Sequence, residues 1–347
     1  MVKRAIIGLI RERYRSNENG IFCCDNPGYW SNLNEKENED FLEDLKKASS
    51  AKEALIRIYP QYYDVIFSPK REAGLELLCL TGEEVCVDYG CMWGALTIPL
   101  AKRTRFVLGI DQTLHSLIFL SRRIEDEKLS NINLLCENLN KMPIIGEMFD
   151  IAVVNGVLEW IPQKGKIELK KYFGKKMTGD EYLYVPETMQ VNFLKNVYAN
   201  LNKMGRLYLA IENRFDFRMF LGVKDPHADL MFTSILPRKI ANLISMRELG
   251  RPYINWLYSF SGLKKILRHA GFGTINLYSC FPNYRFPQFI SPYGLGLDGF
   301  HSTISLSGED GKIKLKRVGG MIVELLLFKY LKADFFAPSI IAIATKD

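Results

Sequence analysis

The feature of this chain that most constrains its fold is an alternation of short apolar runs and amphipathic segments, beginning at residue 84. Apolar runs rich in Val, Ile, Leu, Phe or Tyr and bounded by Gly, Asn, Asp or Pro predict strands. The amphipathic segments between them, 114–129, 187–201 and 261–269, predict helices. This alternation indicates an α/β protein with a mostly parallel sheet. The predicted strands are 84–89, 105–111, 132–137, 149–155, 205–212, 274–281 and 338–345.

The first predicted strand ends at an acid that is followed by glycines. Residues 85–94 read Val-Cys-Val-Asp-Tyr-Gly-Cys-Met-Trp-Gly, and the second strand ends at Asp111. A buried strand, an acid, a glycine turn and a helix are what a nucleotide-binding crevice requires. In such a crevice the carboxylate of Asp111 can accept hydrogen bonds from two ribose hydroxyls. The pattern therefore predicts a nucleotide-containing cofactor.

Composition and size set the broad class of the protein. The chain has 347 residues, 48% of them hydrophobic, which is enough for a large core. No stretch approaches the roughly 20 apolar residues of a membrane span, and Arg11 ends the apolar N-terminal run too soon for a signal peptide. We therefore expect a cytoplasmic protein, and we leave open peripheral contact of the apolar C-terminal stretch with a membrane.

The cysteines, histidines and charges add smaller constraints. The seven cysteines form no Cys-x-x-Cys pair, which favours reduced thiols, and the four histidines show no metal-ligand spacing, so no metal is expected. The net charge of +7 favours an anionic partner such as a phosphorylated substrate, RNA or anionic lipid. Six lysines against one acid lie in residues 163–176. This segment is either a solvated face or a basic flap beside an active site.

Four segments, in this order, are distinctive: 87–94, 108–111, 131–143 and 149–162. With them the chain resembles a class I S-adenosylmethionine-dependent methyltransferase, closely over 71–215 and more loosely over 255–345. The resemblance implies an enzyme with S-adenosylmethionine as cofactor. It also implies a Rossmann-like, seven-stranded, mostly parallel sheet with an antiparallel edge strand. The order of the elements predicts that 274–281 and 338–345 form an antiparallel hairpin at the sheet edge.

The domain organisation follows from the same resemblance. It implies a methyltransferase domain over 71–347, preceded by an N-terminal helical cap at 1–70. The domain would carry insertions at about 162–190 and 214–258, and a C-terminal excursion at about 285–337.

Carried over position by position, the resemblance assigns seven residues to the cofactor. Two glycines let the backbone approach its methionine part, and the acid before them orients that part. The acid of the second strand binds the ribose, the next two residues face the adenine, and the last lies under the transferring methyl group. The two glycines are Gly90 and Gly94, and the acid before them is Asp88. The ribose acid is Asp111, the two residues at the adenine are Asn138 and Leu139, and the residue under the methyl group is Asn155. For the two asparagines, structural roles are nearly as strong an alternative.

The chain departs from the family at Met92, where glycine is usual. Its side chain either crowds the cofactor or points away. The neighbouring Trp93 either packs in the core or offers its ring to the sulfonium cation. A nicotinamide-dependent dehydrogenase is ranked below the methyltransferase, because the spacing is Gly-x-x-x-Gly rather than Gly-x-Gly-x-x-Gly.

Three further segments, 210–227, 258–262 and 282–287, resemble a methyltransferase subgroup found with surface-polysaccharide and glycolipid assembly enzymes. The resemblance implies an acceptor hydroxyl on a sugar, glycolipid or polysaccharide precursor, with or without a phosphate. Polar and aromatic side chains suit a sugar; the rings are Phe215, Phe220, Tyr253, Tyr258 and Tyr284.

His227 is the best candidate for a general base, with Glu212 or Asp225 behind it. Loop hydrogen bonding is an equally strong explanation of this histidine. Alternatives to the sugar acceptor are RNA, protein or another small metabolite, and a non-catalytic binding module. RNA would need a continuous basic surface with stacking aromatics. The sequence does not predict the oligomeric state.

Overall fold

The computed structural model describes residues 2–24, 34–142, 145–162, 185–295, 297–304 and 315–347. Within these ranges ten strands form one sheet, in the order β1-β2-β5-β4-β3-β6-β7-β10-β8-β9. The strands are β1 (Arg15–Ser16), β2 (Phe22–Cys23), β3 (Val85–Tyr89), β4 (Phe106–Asp111), β5 (Ile132–Cys136), β6 (Phe149–Asn155), β7 (Leu201–Glu212), β8 (Thr274–Phe281), β9 (Phe289–Pro292) and β10 (Ser339–Thr345).

The helices lie between the strands and in the N-terminal segment. Among the described residues, the α-helices are α1 (Val2–Arg11), α2 (Glu35–Lys47), α3 (Ala51–Ile58), α4 (Tyr63–Phe67), α5 (Thr97–Arg103), α6 (Leu114–Asp126), α7 (Val185–Asn200), α8 (Phe217–Phe220), α9 (Arg238–Leu249), α10 (Phe260–Ala270) and α11 (Leu315–Glu324). Short 3-10 turns include Pro69–Leu78 and Leu158–Trp160, and a π-helix at Leu325–Tyr330 follows α11. None of the helices in the described ranges combines the length and apolar character needed to cross a bilayer.

Parallel pairing dominates the part of the sheet that carries the cofactor motif. Strand β3 pairs in parallel with β4 and β6, and β5 pairs in parallel with β4 and β2. Strands β3 and β4 are buried along their whole length, as expected for parallel strands covered on both faces. The prediction of a mixed α/β fold with a large, mostly parallel sheet is confirmed.

The predicted number of seven strands is wrong. All seven predicted strands are present, and β1, β2 and β9 add to them. These three have two to four residues, too few for an alternation of apolar and polar side chains to show in the sequence. Residues 338–345 are not at the edge, because β10 lies between β7 and β8; the antiparallel edge pair there is β8 with β9.

The N-terminal segment is only partly helical. It contains α1 to α4, but β2 also joins the sheet beside β5, with Phe22 opposite Leu135. A cap function of this segment and the domain boundary at residue 70 stay predictions.

By internal contacts the described chain divides into two compact units. The first comprises Met1–Asn155, Phe193–Tyr208 and Thr345–Asp347, and the second comprises Gly156–Asn192 and Leu209–Ala344. The residues predicted for the cofactor all belong to the first unit. The residues predicted for catalysis all belong to the second.

Candidate functional site

In the first unit, two buried acids end neighbouring parallel strands. Asp88 in β3 lies opposite Gly109 in β4, two residues before Asp111. The hydroxyl of Thr97 donates to Asp88 Oδ2 at 2.7 Å. The backbone amides of Met92 and Thr113 donate to the two carboxylate oxygens of Asp111, each at 2.9 Å. Asp111 therefore holds the glycine turn in place, in addition to any contact with a ligand.

Both carboxyl groups are held partly neutral by burial. Burial raises the pKa of Asp88 to about 6, against the hydrogen bond from Thr97 that lowers it. Burial likewise raises the pKa of Asp111 to about 6, against the backbone hydrogen bonds from Thr113 and Met92. Each acid is consequently charged only above about pH 6, and a ligand with hydroxyl or ammonium donors stabilises the charged form.

The glycine turn uses left-handed backbone at three positions. Gly90 and Gly94 have φ values of 74° and 76°, and Met92 has 45°. A Cβ added at Gly94 would lie 2.2 Å from Leu120 Cδ1, so the packing of α6 also requires glycine there. The left-handed backbone at Met92 explains why glycine is the easier residue at that position.

The side chain of Met92 packs against an apolar cluster formed by the N-terminal helices, together with Trp93. The cluster includes Phe41 and Leu45 of α2, and Phe119 of α6. Trp93 is only 2% exposed, and its ring lies 5.3 Å from that of Phe119. Between the two alternatives for Trp93, the structure shows the core residue.

The three remaining residues predicted for the cofactor also lie at this part of the first unit. Asn138 is buried, and its side-chain oxygen accepts from the Asn140 amide at 2.9 Å, which makes a local turn after β5. Leu139 is buried beside it. Asn155 ends β6, and its side-chain oxygen is buried with no hydrogen-bond partner among the described residues. The ligand contacts of these three residues stay predictions.

In the second unit, two carboxylates meet a histidine. Glu212 Oε2 and Glu159 Oε1 each lie 3.7 Å from His227 Nε2. Glu212 ends β7, Glu159 lies in the 3-10 turn after β6, and His227 lies in the loop after α8. We call these three residues the acid–histidine cluster. The structure thus places Glu212 beside His227, and the catalytic roles predicted for these residues stay predictions.

Asp225 fixes the orientation of His227. It accepts the backbone amide of His227 at 2.9 Å, and its Oδ1 lies 3.2 Å from Nδ1 of the ring. The hydroxyl of Tyr253 donates to Asp225 Oδ2 at 2.6 Å. The ring of Trp160 contacts the imidazole edge-on at 4.9 Å between centroids. With Nδ1 held in this way, Nε2 is the atom that faces the two glutamates.

Electrostatics in the cluster favour the protonated histidine. Burial alone would lower the pKa of His227, but Asp225, Glu159 and Glu212 outweigh it and raise the pKa to about 10. Burial raises the pKa of Glu159, against the favourable interaction with His227. For Asp225 burial acts in the same upward direction, but the hydrogen bonds from His227 and Tyr253 prevail and lower its pKa.

In the segment 210–227, the two residues after Glu212 have mainly structural roles. Asn213 donates to the carbonyls of Phe335 and Ala337, and Arg214 donates to those of Ser234 and Leu236. Of residues 212–214, only Glu212 therefore directs its side chain into the acid–histidine cluster.

Residues 282–287 place Arg285 3.8 Å from Glu212 Oε1. A Cβ added at Gly156 would overlap the hydroxyl of Tyr284. This motif therefore sets a cation beside Glu212 and packs tightly under the exit of β6.

The aromatic residues predicted to line a sugar site are mostly buried. Tyr253 and Tyr284 are each 3% exposed, and the Tyr258 hydroxyl donates to Gln190 at 2.6 Å. Phe215 is half-buried, and Phe220 is 48% exposed. The lysine-rich segment 163–176 lies outside the described residues.

The sequence reasoning did not assign a role to Glu159. Its signal was present: a single acid in the otherwise apolar run Val157–Pro162. A carboxylate buried in such a run needs a partner, and that requirement could have paired it with His227.

Comparison with known proteins gives a partial match. The family described as "Methyltransferase domain" matches residues 86–172. The ubiquinone biosynthesis O-methyltransferase of Coxiella burnetii is 26% identical over 144 residues, which are 42% of this chain and 49% of that protein. The chain thus spans about half the length of the curated relatives it matches.

Solved structures with a similar fold include two methyltransferases. Phosphoethanolamine N-methyltransferase 2 of Haemonchus contortus, in complex with phosphomonomethylethanolamine and S-adenosylhomocysteine, is 14% identical with a TM-score of 0.47, over 88% of this chain and 60% of that one. A SAM-dependent methyltransferase of Thermotoga maritima is 13% identical with a TM-score of 0.44, over 88% and 100% of the two chains.

The family match covers the glycine turn, the end of β4 and the exit of β6, which are the segments that carried the resemblance. The prediction of a methyltransferase is confirmed for the segment that this family matches. Residues 86–172 are therefore similar to a methyltransferase domain, and the activity and cofactor of the whole chain remain proposals.

Proposed function

We propose that the whole chain is an O-methyltransferase that binds S-adenosylmethionine at the glycine turn and methylates a hydroxyl group. The observation that carries the cofactor half is the pair of buried acids, Asp88 and Asp111, at the ends of two neighbouring parallel strands. Ligands of α/β sheets bind at this end of the strands. Asp111 would bind the ribose and Asp88 would orient the methionine part, with Gly90 and Gly94 allowing close approach.

The remaining cofactor contacts are proposed from the same arrangement. Asn138 and the Leu139 backbone would face the adenine, because both follow β5 directly. Asn155 would lie under the methyl group, and its buried, unpartnered oxygen supports a polar ligand there. The N-terminal helices that pack on Met92 and Trp93 are proposed to act as the cap of this turn.

The reaction needs little covalent chemistry from the protein. A lone pair of the acceptor oxygen forms a bond to the methyl carbon, the carbon–sulfur bond breaks with its electrons going to sulfur, and the hydroxyl proton is released. The products are a methyl ether, S-adenosylhomocysteine and a proton. Alignment of oxygen, carbon and sulfur supplies much of the rate.

We assign activation of the acceptor hydroxyl to His227, supported by Asp225 and Glu212. A base with a raised pKa is strong, but only its neutral form can accept a proton. At neutral pH His227 is therefore mostly protonated, and it has to release that proton to solvent before it can accept the proton of the hydroxyl. Neutral His227 is held by Asp225 in the tautomer that leaves Nε2 free.

The proposed acceptor is a sugar, glycolipid or polysaccharide precursor. The support is the resemblance of residues 210–227, 258–262 and 282–287 to the corresponding subgroup, together with Arg285 near the cluster, which suits a phosphate on the acceptor. The relative named as a ubiquinone biosynthesis O-methyltransferase supports transfer to oxygen. It also favours a small lipid-soluble hydroxyl compound as the second candidate.

The test is incubation with methyl-labelled S-adenosylmethionine and separated lipid-glycan, lipid, RNA and protein fractions. We expect label in the lipid-glycan fraction, and loss of transfer in the variant His227→Gln. Label confined to RNA or protein would contradict the sugar acceptor, and label in the glycan-free lipid fraction would favour the second candidate.

A further inference from the structure

Four buried polar atoms of the acid–histidine cluster face one another without a hydrogen-bond partner among the described residues. They are both side-chain oxygens of Glu159, Oε2 of Glu212 and Nε2 of His227. Glu159 is fully buried, and the His227 side chain is 1% exposed. The cluster joins three carboxylates, those of Glu159, Glu212 and Asp225, and even with His227 protonated and Arg285 beside Glu212 one negative charge is left, so the arrangement can accept a further positive charge.

The distances fit a bound cation better than a set of hydrogen bonds. The two glutamate oxygens lie 3.7 Å from Nε2, beyond hydrogen-bond range, and one donor atom from each of the three residues lies within 4.8 Å of the others. A first-row cation lies at about 2.0–2.2 Å from such donors, which puts the donors roughly 3–3.5 Å apart. The two histidine–glutamate pairs need to close by only a few tenths of an ångström, whereas the two glutamate oxygens, within 4.8 Å of each other, need to approach by up to about 1.5 Å.

The surroundings are those of a metal-binding histidine. In a metal-binding histidine, the N–H of the second ring nitrogen usually donates a hydrogen bond to a carboxylate, which fixes the tautomer and the ring plane. Asp225 does this for His227, and Tyr253 in turn holds Asp225. The turn that carries Glu159 is fixed from the other side, because Asn255 donates to its backbone carbonyl at 3.0 Å.

We propose that Glu159, Glu212 and His227 bind one divalent first-row cation, of the Mn²⁺ or Zn²⁺ type, through two carboxylate oxygens and Nε2. Two oxygen donors and one imidazole suit these ions. The sequence predicted no metal, because the three ligands come from separate segments and show no ligand spacing.

The role of the cation rests on the proposed function: where the cation occupies Nε2, it takes over the activation of the acceptor hydroxyl, and His227 serves as its ligand. Three protein ligands leave coordination positions open, as in catalytic metal sites. An acceptor hydroxyl bound there through its oxygen loses its proton more readily, to Glu212 or to solvent, because the cation stabilises the oxyanion. The oxyanion lone pair then forms the bond to the methyl carbon, and the electrons of the carbon–sulfur bond remain on sulfur.

The experiment measures cation binding in the absence of S-adenosylmethionine. Bound metal is first removed from the full chain with a chelator. Mn²⁺ binding is then measured from the electron paramagnetic resonance signal of the free ion, and Zn²⁺ binding is measured by calorimetry. The variants are Glu159→Gln and Glu212→Gln. The matched control is Glu324→Gln, a buried acid of the same unit whose oxygens already accept from Ser302 and Thr303.

We expect one cation per chain, an affinity loss of about 100-fold in the two cluster variants, and a change below about threefold in the control. Circular dichroism verifies folding, and His227→Gln replaces any variant that does not fold. The proposal is overturned if neither ion binds to the wild type, or if the cluster variants keep the wild-type affinity.

The two proposals fail in distinguishable ways. Methyl transfer that persists in chelator with no cation bound would overturn the metal site and leave the proposed function standing. Cation binding that depends on Glu159 and Glu212, without transfer to any acceptor, would support the site and contradict the function.

Discussion

The glycine turn of the first unit and the acid–histidine cluster of the second unit differ in how their polar groups are satisfied. The carboxylate of Asp111 is hydrogen-bonded at both oxygens by backbone amides, and Asp88 by Thr97. Glu159, by contrast, has no hydrogen bond to its side chain among the described residues. Because the carboxylates at the glycine turn are hydrogen-bonded within the protein, the turn can form before its ligand binds. The cluster instead contains buried negative charge that only a proton or a bound cation can balance.

Removal of Asp225 tests whether the cluster depends on its support. Asp225→Ala leaves His227 and Tyr253 without their shared partner, so we expect the free energy of unfolding to fall by about 3–5 kcal/mol. Urea denaturation measures this change. The control Asp229→Asn alters an exposed carboxylate of the same loop and should change stability by less than about 0.5 kcal/mol. A loss below about 1 kcal/mol for Asp225→Ala would show that the cluster is not held by this acid.

Gly94→Ala tests whether the glycine turn is required by packing. The added methyl group would overlap Leu120 and occupy left-handed backbone, so we expect a loss of about 3 kcal/mol in the free energy of unfolding. Gly82→Ala is the control, because it has a positive φ of 96° but open space around the new Cβ. Partial rescue of Gly94→Ala by Leu120→Ala is expected. Equal losses of unfolding free energy in Gly94→Ala and Gly82→Ala would show that overlap with Leu120 does not destabilise the protein.

Asp111→Asn tests the predicted ribose contact. Loss of the charged acceptor should weaken S-adenosylmethionine binding by about 100-fold, the value of two charge-assisted hydrogen bonds. Isothermal titration calorimetry measures the affinity, and unfolding is followed in parallel because Asp111 also holds the Met92 amide. The control Asp150→Asn changes another acid of this unit that accepts a backbone amide, from Val85. An affinity equal to wild type would mean that Asp111 is purely structural.

The raised pKa values of Asp88 and Asp111 predict a pH dependence of cofactor binding. Both pKa values are about 6, so the carboxylates lose their charge as the pH falls through that value. We expect the affinity for S-adenosylmethionine to fall by about tenfold between about pH 7 and pH 5. In the cofactor-free protein the sign is opposite: the folded state binds the protons more tightly, so the free energy of unfolding rises as the pH falls from about 6 to 4. A flat affinity over this range would contradict the assignment of these acids to the ligand.

Met92→Gly should have the smallest effect. Relief of the left-handed backbone gains about 1 kcal/mol, and loss of the contacts with the N-terminal helices costs a similar amount. We expect calorimetry to show cofactor affinity within about threefold of wild type. Met92→Ala, which keeps the strain and loses the contacts, should be less stable than Met92→Gly. A tenfold gain in affinity for Met92→Gly would show that the methionine crowds the cofactor.

The two regions also differ in how far the sequence predicts them. The glycine turn and its strands are contiguous motifs, so the residues from Val85 to Asp111 could be placed from local patterns alone. The cluster is built by long-range contacts between the exit of β6, the end of β7 and a loop, and no local period connects them. Glu212 could be predicted from its position at a strand end, and His227 and Asp225 from the residue types that act as bases. Glu159 could not, because its partner is 68 positions away. The short strands β1, β2 and β9 were missed because tertiary pairing, not composition, makes them strands.

The most direct measurement is a calorimetric titration of the full chain with S-adenosylmethionine, run on wild type and on Glu159→Gln. If the turn binds the cofactor independently of the cluster, both proteins bind one molecule per chain with affinities within about threefold of each other. Absence of heat with the wild type, with the fold verified by circular dichroism, would contradict cofactor binding at the turn. A large loss of affinity in Glu159→Gln alone would contradict the division of roles between the two regions.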